Sequence, residues 1–269
     1  MIDLLKYIFL GFIQGVTEAL PISSSGHLLI FKNLLNVKVD FDSLAIITNL
    51  GSLIAVIVIF RKDIVKLVNG FFKYLFTKNN EFKNEFKYCL LIVLGCIPAG
   101  LVGLIVKKLN ILNFIDNNVK IVGISLLVTA LLLFLIRNFD GKKEDKNMSS
   151  KDAIKVGLFQ IIGIFPGISR SGSTIVGGMF SGLKRDVAFK FSFLIYIPMS
   201  IAATLVEVKD LFEVNISSTL WLYYIAATIT SFIFTLLVVK WFRKIVREGK
   251  LIWFVYYCLL AGLLVLIFL

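Results

Sequence analysis

One histidine and three cysteines are the only imidazole and thiol metal ligands in these 269 residues. Cys89, Cys96 and Cys258 all lie inside apolar stretches. They read as buried, inert thiols, which excludes a disulfide framework and a Cys/His metal cluster. Acidic residues are scarce as well, 17 Asp and Glu against 29 Lys and Arg, for a net charge of +12. No polar stretch is long enough for a soluble domain; the longest, 61–87 and 137–152, are loop-sized. The N-terminus carries Asp3 and Lys6 but no basic region or small-residue cleavage site. It reads as mature sequence, not a removed signal peptide.

What the chain has in abundance is apolar surface. Hydrophobic residues make up 58% and the mean hydropathy is +0.90, where a soluble domain holds about 45–50% apolar residues. The excess falls into blocks of about 20 residues, the length an α-helix needs to cross a bilayer. The expected fold is therefore an all-α integral membrane protein, one membrane domain over 1–269. Six blocks read as spans: 42–60, 87–106, 118–136, 186–208, 218–240 and 250–269. Trp221, Trp241 and Trp253 fall at or near block ends, at headgroup level. The basic residues cluster in loops between blocks, which reads as topology charge. The implied partner is the lipid bilayer, and nucleic acid is not expected.

Two further apolar stretches are interrupted. Stretch 4–36 is broken by Pro21-Ile22-Ser23-Ser24-Ser25-Gly26-His27, and stretch 152–182 by Pro166-Gly167-Ile168-Ser169-Arg170-Ser171-Gly172-Ser173-Thr174. Irregular backbone at membrane depth survives only when buried in protein or lining a wet cavity. Both stretches are expected to be re-entrant helical hairpins with polar tips near the midplane. Loops 61–87, 137–151 and 240–250 carry seven, five and five Lys/Arg, and are expected on the cytoplasmic side. Loop 209–217, with Asp210 and Glu213, is expected outside, and loop 107–120, with three Lys, is the least clear. Six spans satisfy these constraints if each hairpin returns to its own side, the first from outside and the second from the cytoplasm, with both termini external. An internal repeat fits this. Gly11, Gln14, Ser23, Ser25 and Gly26 match Gly157, Gln160, Ser169, Ser171 and Gly172, each pair 146 residues apart. Repeat 1 would cover about 1–136 and repeat 2 about 150–269, as an inverted-topology repeat with its site where broken helices meet. Accidental similarity between two Gly/Ser-rich breaks is the alternative.

Ionisable groups inside lipid are rare and usually functional. The interrupted stretches hold Glu18, His27 and Arg170. Gln14 shares a helix face with Glu18, four residues on. Ser169, Ser171, Ser173 and Thr174 around Arg170 have the composition of an anion cradle, in which freed N–H groups and hydroxyls bind phosphate oxygens. Arg170 adds a planar fork of donors. The set points to phosphoryl transfer. Arg170 would hold a diphosphate, one of Ser23, Ser24 or Ser25 would attack phosphorus, and Glu18 would act as base or bind a cation.

Gln14-x-x-x-Glu18 with Leu20-Pro21-Ile22-Ser23-Ser24-Ser25-Gly26-His27 resembles the first signature of the undecaprenyl-diphosphate phosphatase family, the bacitracin resistance proteins. Pro166 to Thr174 resembles its second, and Phe191-Ser192-Phe193-Leu194 before Pro198 also fits. The resemblance implies removal of the terminal phosphate of a C55 polyprenyl diphosphate, recycling the lipid carrier of peptidoglycan synthesis. It implies a bacterial plasma membrane protein whose site opens to the external face. It also implies six spans and two re-entrant hairpins, and dependence on Mg²⁺ or Ca²⁺, for which Glu18 is the candidate ligand and the neutral Gln14 a weak second one. Glu18, His27 and Arg170 match the family's essential residues. Ser24 matches its proposed serine nucleophile, with His27 handling the proton; histidine has also been proposed to attack. Gln14 stands where many members have Glu, which puts a two-carboxylate metal site in doubt. A homodimer is left open. A transporter or flippase of the same lipid is the alternative, since inverted repeats of broken helices are also a transporter design. A lipid-phosphatase class that needs two histidines is excluded by the single His27.

Cysteine-accessibility mapping checks the expected topology. Single cysteines in 36–42 should label from outside and those in 70–80 from the cytoplasm; labelling of both sets from one face rules it out.

Overall fold

The structure, a computed structural model, describes residues 2–37, 40–109, 111, 118–213 and 217–269, with the side chains of all but 208–213. Ten α-helices make up the described fold. They are α1 (Ile2–Ala19), α2 (Ser24–Leu34), α3 (Phe41–Thr77), α4 (Lys83–Lys108), α5 (Val119–Ile136), α6 (Ser150–Ile162), α7 (Arg170–Phe180), α8 (Arg185–Glu213), α9 (Ser218–Arg247) and α10 (Ile252–Phe268).

Five helices are long and apolar enough to cross a membrane: α3, α4, α5, α8 and α9. They match five of the six expected spans. The sixth, 250–269, is the shorter apolar helix α10, with 17 residues. Two boundaries depart from expectation. The basic segment 61–87 is mostly helix, because α3 runs on to Thr77 before capping at Lys78 in the left-handed region, φ 55°. Its Lys and Arg side chains are good helix formers, and charge alone does not end a helix. For the same reason α9 continues past 240 to Arg247. In loops 107–120 and 209–217, residues 110, 112–117 and 214–216 lie outside the described residues.

Large apolar side chains face outward on many helices, among them Leu101, Leu131, Leu205, Leu237 and Leu260. A water-soluble protein rarely exposes contiguous apolar surface on this scale; hydrocarbon is the solvent that fits it. The interior is built from Leu126, Leu133, Phe189, Phe191 and Phe242. Charge gathers at one end. Lys190 pairs with Asp63 (3.1 Å) and Asp145 (2.8 Å), and Arg243 with Asp186 (2.8 Å). These pairs tie α3, the 137–149 loop, α8 and α9 together at the basic end.

Both interrupted stretches fold as helical hairpins. Lys6 Nζ donates to the Leu35 carbonyl (2.8 Å), so the first closes on its own starting end. Lys143 N donates to Gly182 O (2.9 Å), and Lys143 Nζ pairs with Asp152 (2.8 Å) beside the start of α6. The second hairpin therefore opens at the basic end. The first opens at the far end, because α3 begins there at Phe41 and reaches Asp63 about 33 Å later at 1.5 Å per residue. α2 and α7, with 11 residues each, span about 16 Å, so the tips meet about halfway between the ends at which the two hairpins open.

Each hairpin's first arm lies along a helix of the other half, α1 on α9 and α6 on α4. Glycine sets both approaches. A Cβ on Gly11 would lie 2.2 Å from the Ala227 carbonyl oxygen, and one on its repeat partner Gly157 would lie 2.4 Å from that of Gly95. The tips exchange equivalent contacts as well. A Cβ on Gly26 would lie 3.1 Å from the Gly167 Cα, and one on Gly172 would lie 3.4 Å from the Pro21 Cβ. The 146-residue offset that relates Gly26 to Gly172 also relates Pro21 to Gly167, so the matched residues occupy matched environments.

Gly11→Leu should destabilise the protein by roughly 1–3 kcal/mol, the usual cost of overpacking. Gly100→Ala should be neutral or stabilising by up to about 1 kcal/mol, because it lies inside α4 and its nearest neighbour would be Met199 Sδ at 4.0 Å. Thermal unfolding of the purified protein in detergent reads both.

Candidate active site

The site is built where the two helix breaks meet. After Pro21, Ser23 restarts the chain as the N-cap of α2, its Oγ accepting from Gly26 N at 3.2 Å. Ser169 does the same for α7, its Oγ accepting from Gly172 N at 3.0 Å. Each cap satisfies a backbone donor that lipid could not. The tips then bond to each other. Ser171 Oγ donates to the Leu20 carbonyl at 3.2 Å, and Gly167 N approaches Ser25 Oγ at 3.5 Å.

This junction brings Glu18, at the end of α1, against Arg170, at the start of α7. Arg170 Nη2 donates to Glu18 Oε1, and Ser24 Oγ donates to Oε2. Gln14 Nε2 also donates to Oε2 at 3.1 Å. Glu18 is 11% exposed and Arg170 29%, so the pair is shielded without being sealed. The guanidinium lies over the Tyr196 ring, 4.2 Å from its centroid, a cation–π contact. Tyr196 is anchored by its own hydroxyl, which donates to Asn49 Oδ1 at 2.9 Å. Chemically, the cluster is a hydroxyl hydrogen-bonded to a carboxylate beside a fixed planar cation.

His27 lies one step away. Its Nδ1 is 2.7 Å from the Ser23 carbonyl oxygen and its Nε2 is 2.7 Å from Tyr257 Oη. A carbonyl only accepts, so Nδ1 carries the proton and Nε2 accepts from the tyrosine. The ring is buried and stacked on Tyr257. Both nitrogens are therefore engaged away from Ser24. The residue that His27 holds is strained: Ser23 has φ 71°, a region non-glycine residues seldom enter. In the second tip Ser173 Oγ grips the Ser169 carbonyl in the same way, at 2.9 Å, yet Ser169 has an ordinary φ of −71°. Capping does not require the strain at Ser23, and strain of this kind concentrates at functional sites.

A cleft runs beside the ion pair, lined by Glu18, Gln160, Arg170, Ser171, Thr174 and Tyr196 among others. Of the expected phosphate-binding residues, Arg170, Ser171 and Thr174 line it. Ser23, Ser169 and Ser173 are buried and committed to caps and backbone carbonyls, and Ser25 faces the opposite tip. Sequence reasoning missed Tyr196, Tyr257 and Asn49, polar groups inside apolar blocks with no local signal. Gln160 was visible only as the repeat partner of Gln14.

This fold and site define a helical membrane protein with an oxygen-rich, singly charge-paired cleft between two broken helices. The family model described as Bacitracin resistance protein BacA matches residues 7–264, and the chain belongs to that family. It is 44% identical to "Undecaprenyl-diphosphatase 2" of Bacillus thuringiensis (strain Al Hakam), covering 99% of this chain and 98% of the relative. It is 43% identical to "Undecaprenyl-diphosphatase" of Oceanobacillus iheyensis, covering 99% and 97%. It is 40% identical to "Undecaprenyl-diphosphatase 1" of Halalkalibacterium halodurans, covering 98% and 95%.

Proposed function

We propose that this chain hydrolyses undecaprenyl diphosphate to undecaprenyl phosphate and inorganic phosphate, recycling the lipid carrier of peptidoglycan synthesis and conferring bacitracin resistance. The observation that carries this reading is the convergence of Ser24, Glu18 and Arg170 at the tip junction of a chain from this family.

Ser24 Oγ attacks the terminal phosphorus while its proton passes to Glu18 Oε2. The bond from that phosphorus to the bridging oxygen breaks, and its electron pair leaves on undecaprenyl phosphate. Water then attacks the phosphoserine; the bond from phosphorus to Ser24 Oγ breaks, Glu18 returns its proton to that oxygen, and inorganic phosphate leaves carrying both protons of the water. Arg170 balances the charge that builds on the phosphoryl oxygens. Its hold on Tyr196 fixes the guanidinium plane before substrate arrives. His27 is assigned the positioning of the strained Ser23 turn that presents Ser24, in place of proton transfer.

A divalent cation, Mg²⁺ or Ca²⁺, fits the donors present. Among the described residues no group of three or more His, Cys, Asp and Glu lies together, so the protein alone forms no cage. Mg²⁺ in particular binds through one or two carboxylates, substrate phosphate oxygens and water. Glu18, with the Gln14 amide oxygen, would hold it only in exchange for part of its present bonding, since Oε1 is taken by Arg170 and Oε2 by Ser24 and Gln14. When bound it supplies charge neutralisation on the diphosphate.

In the membrane we place six crossings, α3, α4, α5, α8, α9 and α10, with the two hairpins re-entrant as an inverted repeat. The opposite opening ends of the hairpins support this arrangement. The clustering of Lys and Arg at one end supports a cytoplasmic position for that end, in the bacterial plasma membrane. The opening of the first hairpin, at the other end, supports an active site reached from the external face.

Phosphate release by purified protein in detergent tests the activity, and separates it from lipid translocation, which releases none. Arg170→Lys should lose at least about two orders of magnitude in kcat/KM, nearly as much as Arg170→Ala, because one ammonium replaces neither the fork nor the stacking on Tyr196. Wild-type turnover by the Lys variant would remove Arg170 from this role.

Ser24→Ala and Glu18→Gln should each abolish most turnover. The double variant should be little worse than either, because the two act as a unit. Substantial phosphate release by a folded Ser24→Ala protein would move the nucleophile to His27 or to water.

A further inference from the structure

The cleft beside Arg170 exposes mostly apolar surface, and nearly all the hydrogen-bonding capacity of the polar side chains in its wall is already used inside the protein. Thr174 Oγ1 is bonded to the Arg170 carbonyl at 2.9 Å and to the Ser192 hydroxyl. Ser171 serves the Leu20 carbonyl. Thr235 donates to Gly15 O at 3.0 Å, and the Tyr196 hydroxyl is held by Asn49. Gln160 is different. It is 2% exposed, it lines the cleft, and its Oε1 is buried with no hydrogen-bond partner. Native proteins rarely leave a buried amide oxygen unsatisfied, and such a group calls for a partner, whether a water or a bound ligand.

The repeat explains why Gln160 is left unpaired. Gln14 and Gln160 are repeat partners, 146 residues apart, and Gln14 is bonded to Glu18 four residues further on. Position 164, the equivalent of Glu18, is Ile164. The second copy thus keeps the amide and lacks the carboxylate that would absorb it. Gln160 is also held close to the chemistry. One turn on, Gly163 packs so tightly on Arg170 that a Cβ there would lie 2.7 Å from the Arg170 Cα.

We infer that Gln160 is a further substrate-contacting residue, binding the diphosphate head of the lipid from the wall beside Arg170. This rests on the proposed phosphatase reading. Its amide is chemically suited to the ligand. Nε2–H donates to an anionic phosphoryl oxygen, and Oε1 accepts from a P–OH or from water carried on the phosphate. Being neutral, it adds hydrogen bonds to the diphosphate without a second positive charge that would compete with Arg170 for Glu18. A contact made equally to the bound substrate and to the transition state shows in KM and not in kcat.

Gln160→Met keeps the length and bulk of the side chain and removes its polar end, while Gln160→Glu turns it into a repelling carboxylate. In the full-length protein in detergent, both variants should raise KM for undecaprenyl diphosphate. Met should raise it about ten- to a hundredfold, the range for a lost hydrogen bond to a charged group, and Glu should raise it at least as much. In both, kcat should stay within about threefold. Thermal unfolding of Gln160→Met should be no lower than wild type, since the substitution relieves an unsatisfied buried group. A purely structural glutamine would lower stability and leave KM unmoved, and that result overturns the inference. So does wild-type KM in Gln160→Met. Should Gln160→Met not fold, the Glu variant decides alone. Equilibrium binding of the lipid diphosphate to wild type and variants reads the contact without turnover. If wild type releases no phosphate but binds the lipid, and Gln160→Met binds it at least tenfold more weakly, the phosphatase reading fails and the contact stands. Equal binding overturns the contact whatever the turnover.

Discussion

The bond between Glu18 and Arg170 joins the tips of two helix breaks that are 152 residues apart in the chain. An unpaired carboxylate and an unpaired guanidinium at membrane depth would each carry a heavy desolvation cost. Their pairing is possible only because the tips touch, and the tips touch only because their residues are small and their backbone donors are satisfied locally. Gly26 on Gly167 and Gly172 on Pro21 set the distance. Ser23 and Ser169 close the helix starts. At Gly26 a Cβ would lie 2.8 Å from Val122 Cγ1 and 3.1 Å from the Gly167 Cα, so a larger residue there would push the tips apart.

The two halves share a backbone plan but differ in chemistry. At equivalent positions the first half carries Ser24, His27 and Glu18, and the second carries Arg170, Ser173 and Ile164. One tip thus supplies a hydroxyl and a carboxylate, and the other supplies the cation that faces them. The strain is unequal too. Ser23 sits at φ 71° under the grip of His27, while Ser169 makes the same cap without strain. The differences between the copies mark the candidate functional positions more sharply than their similarities do, since the similarities are what packing requires.

Much of this was legible in the sequence. Blocks of apolar residues marked five of the crossing-length helices, because hydrocarbon demands continuous apolar length and satisfied backbone. Pro21 and Pro166–Gly167 marked the breaks, since neither residue type continues a helix comfortably. Glu18 and Arg170 stood out as charges in apolar surroundings. The helical run through 61–77 was not legible, because the Lys and Arg that signal membrane topology are also good helix formers, so polarity could not separate loop from exposed helix.

The sequence by itself determined which residues are candidates for the chemistry and that the chain lives in lipid, since both follow from local composition and spacing. Tertiary structure alone decided their partnerships. Nothing local tells Arg170 to lie on Tyr196, or His27 to spend its nitrogens on Ser23 and Tyr257. Nothing local leaves Gln160 unpaired in the cleft wall while Gln14 is taken up by Glu18. Those outcomes depend on which helix packs against which across more than a hundred residues of chain, and a hydrogen bond of a few ångströms is fixed only when that packing is complete.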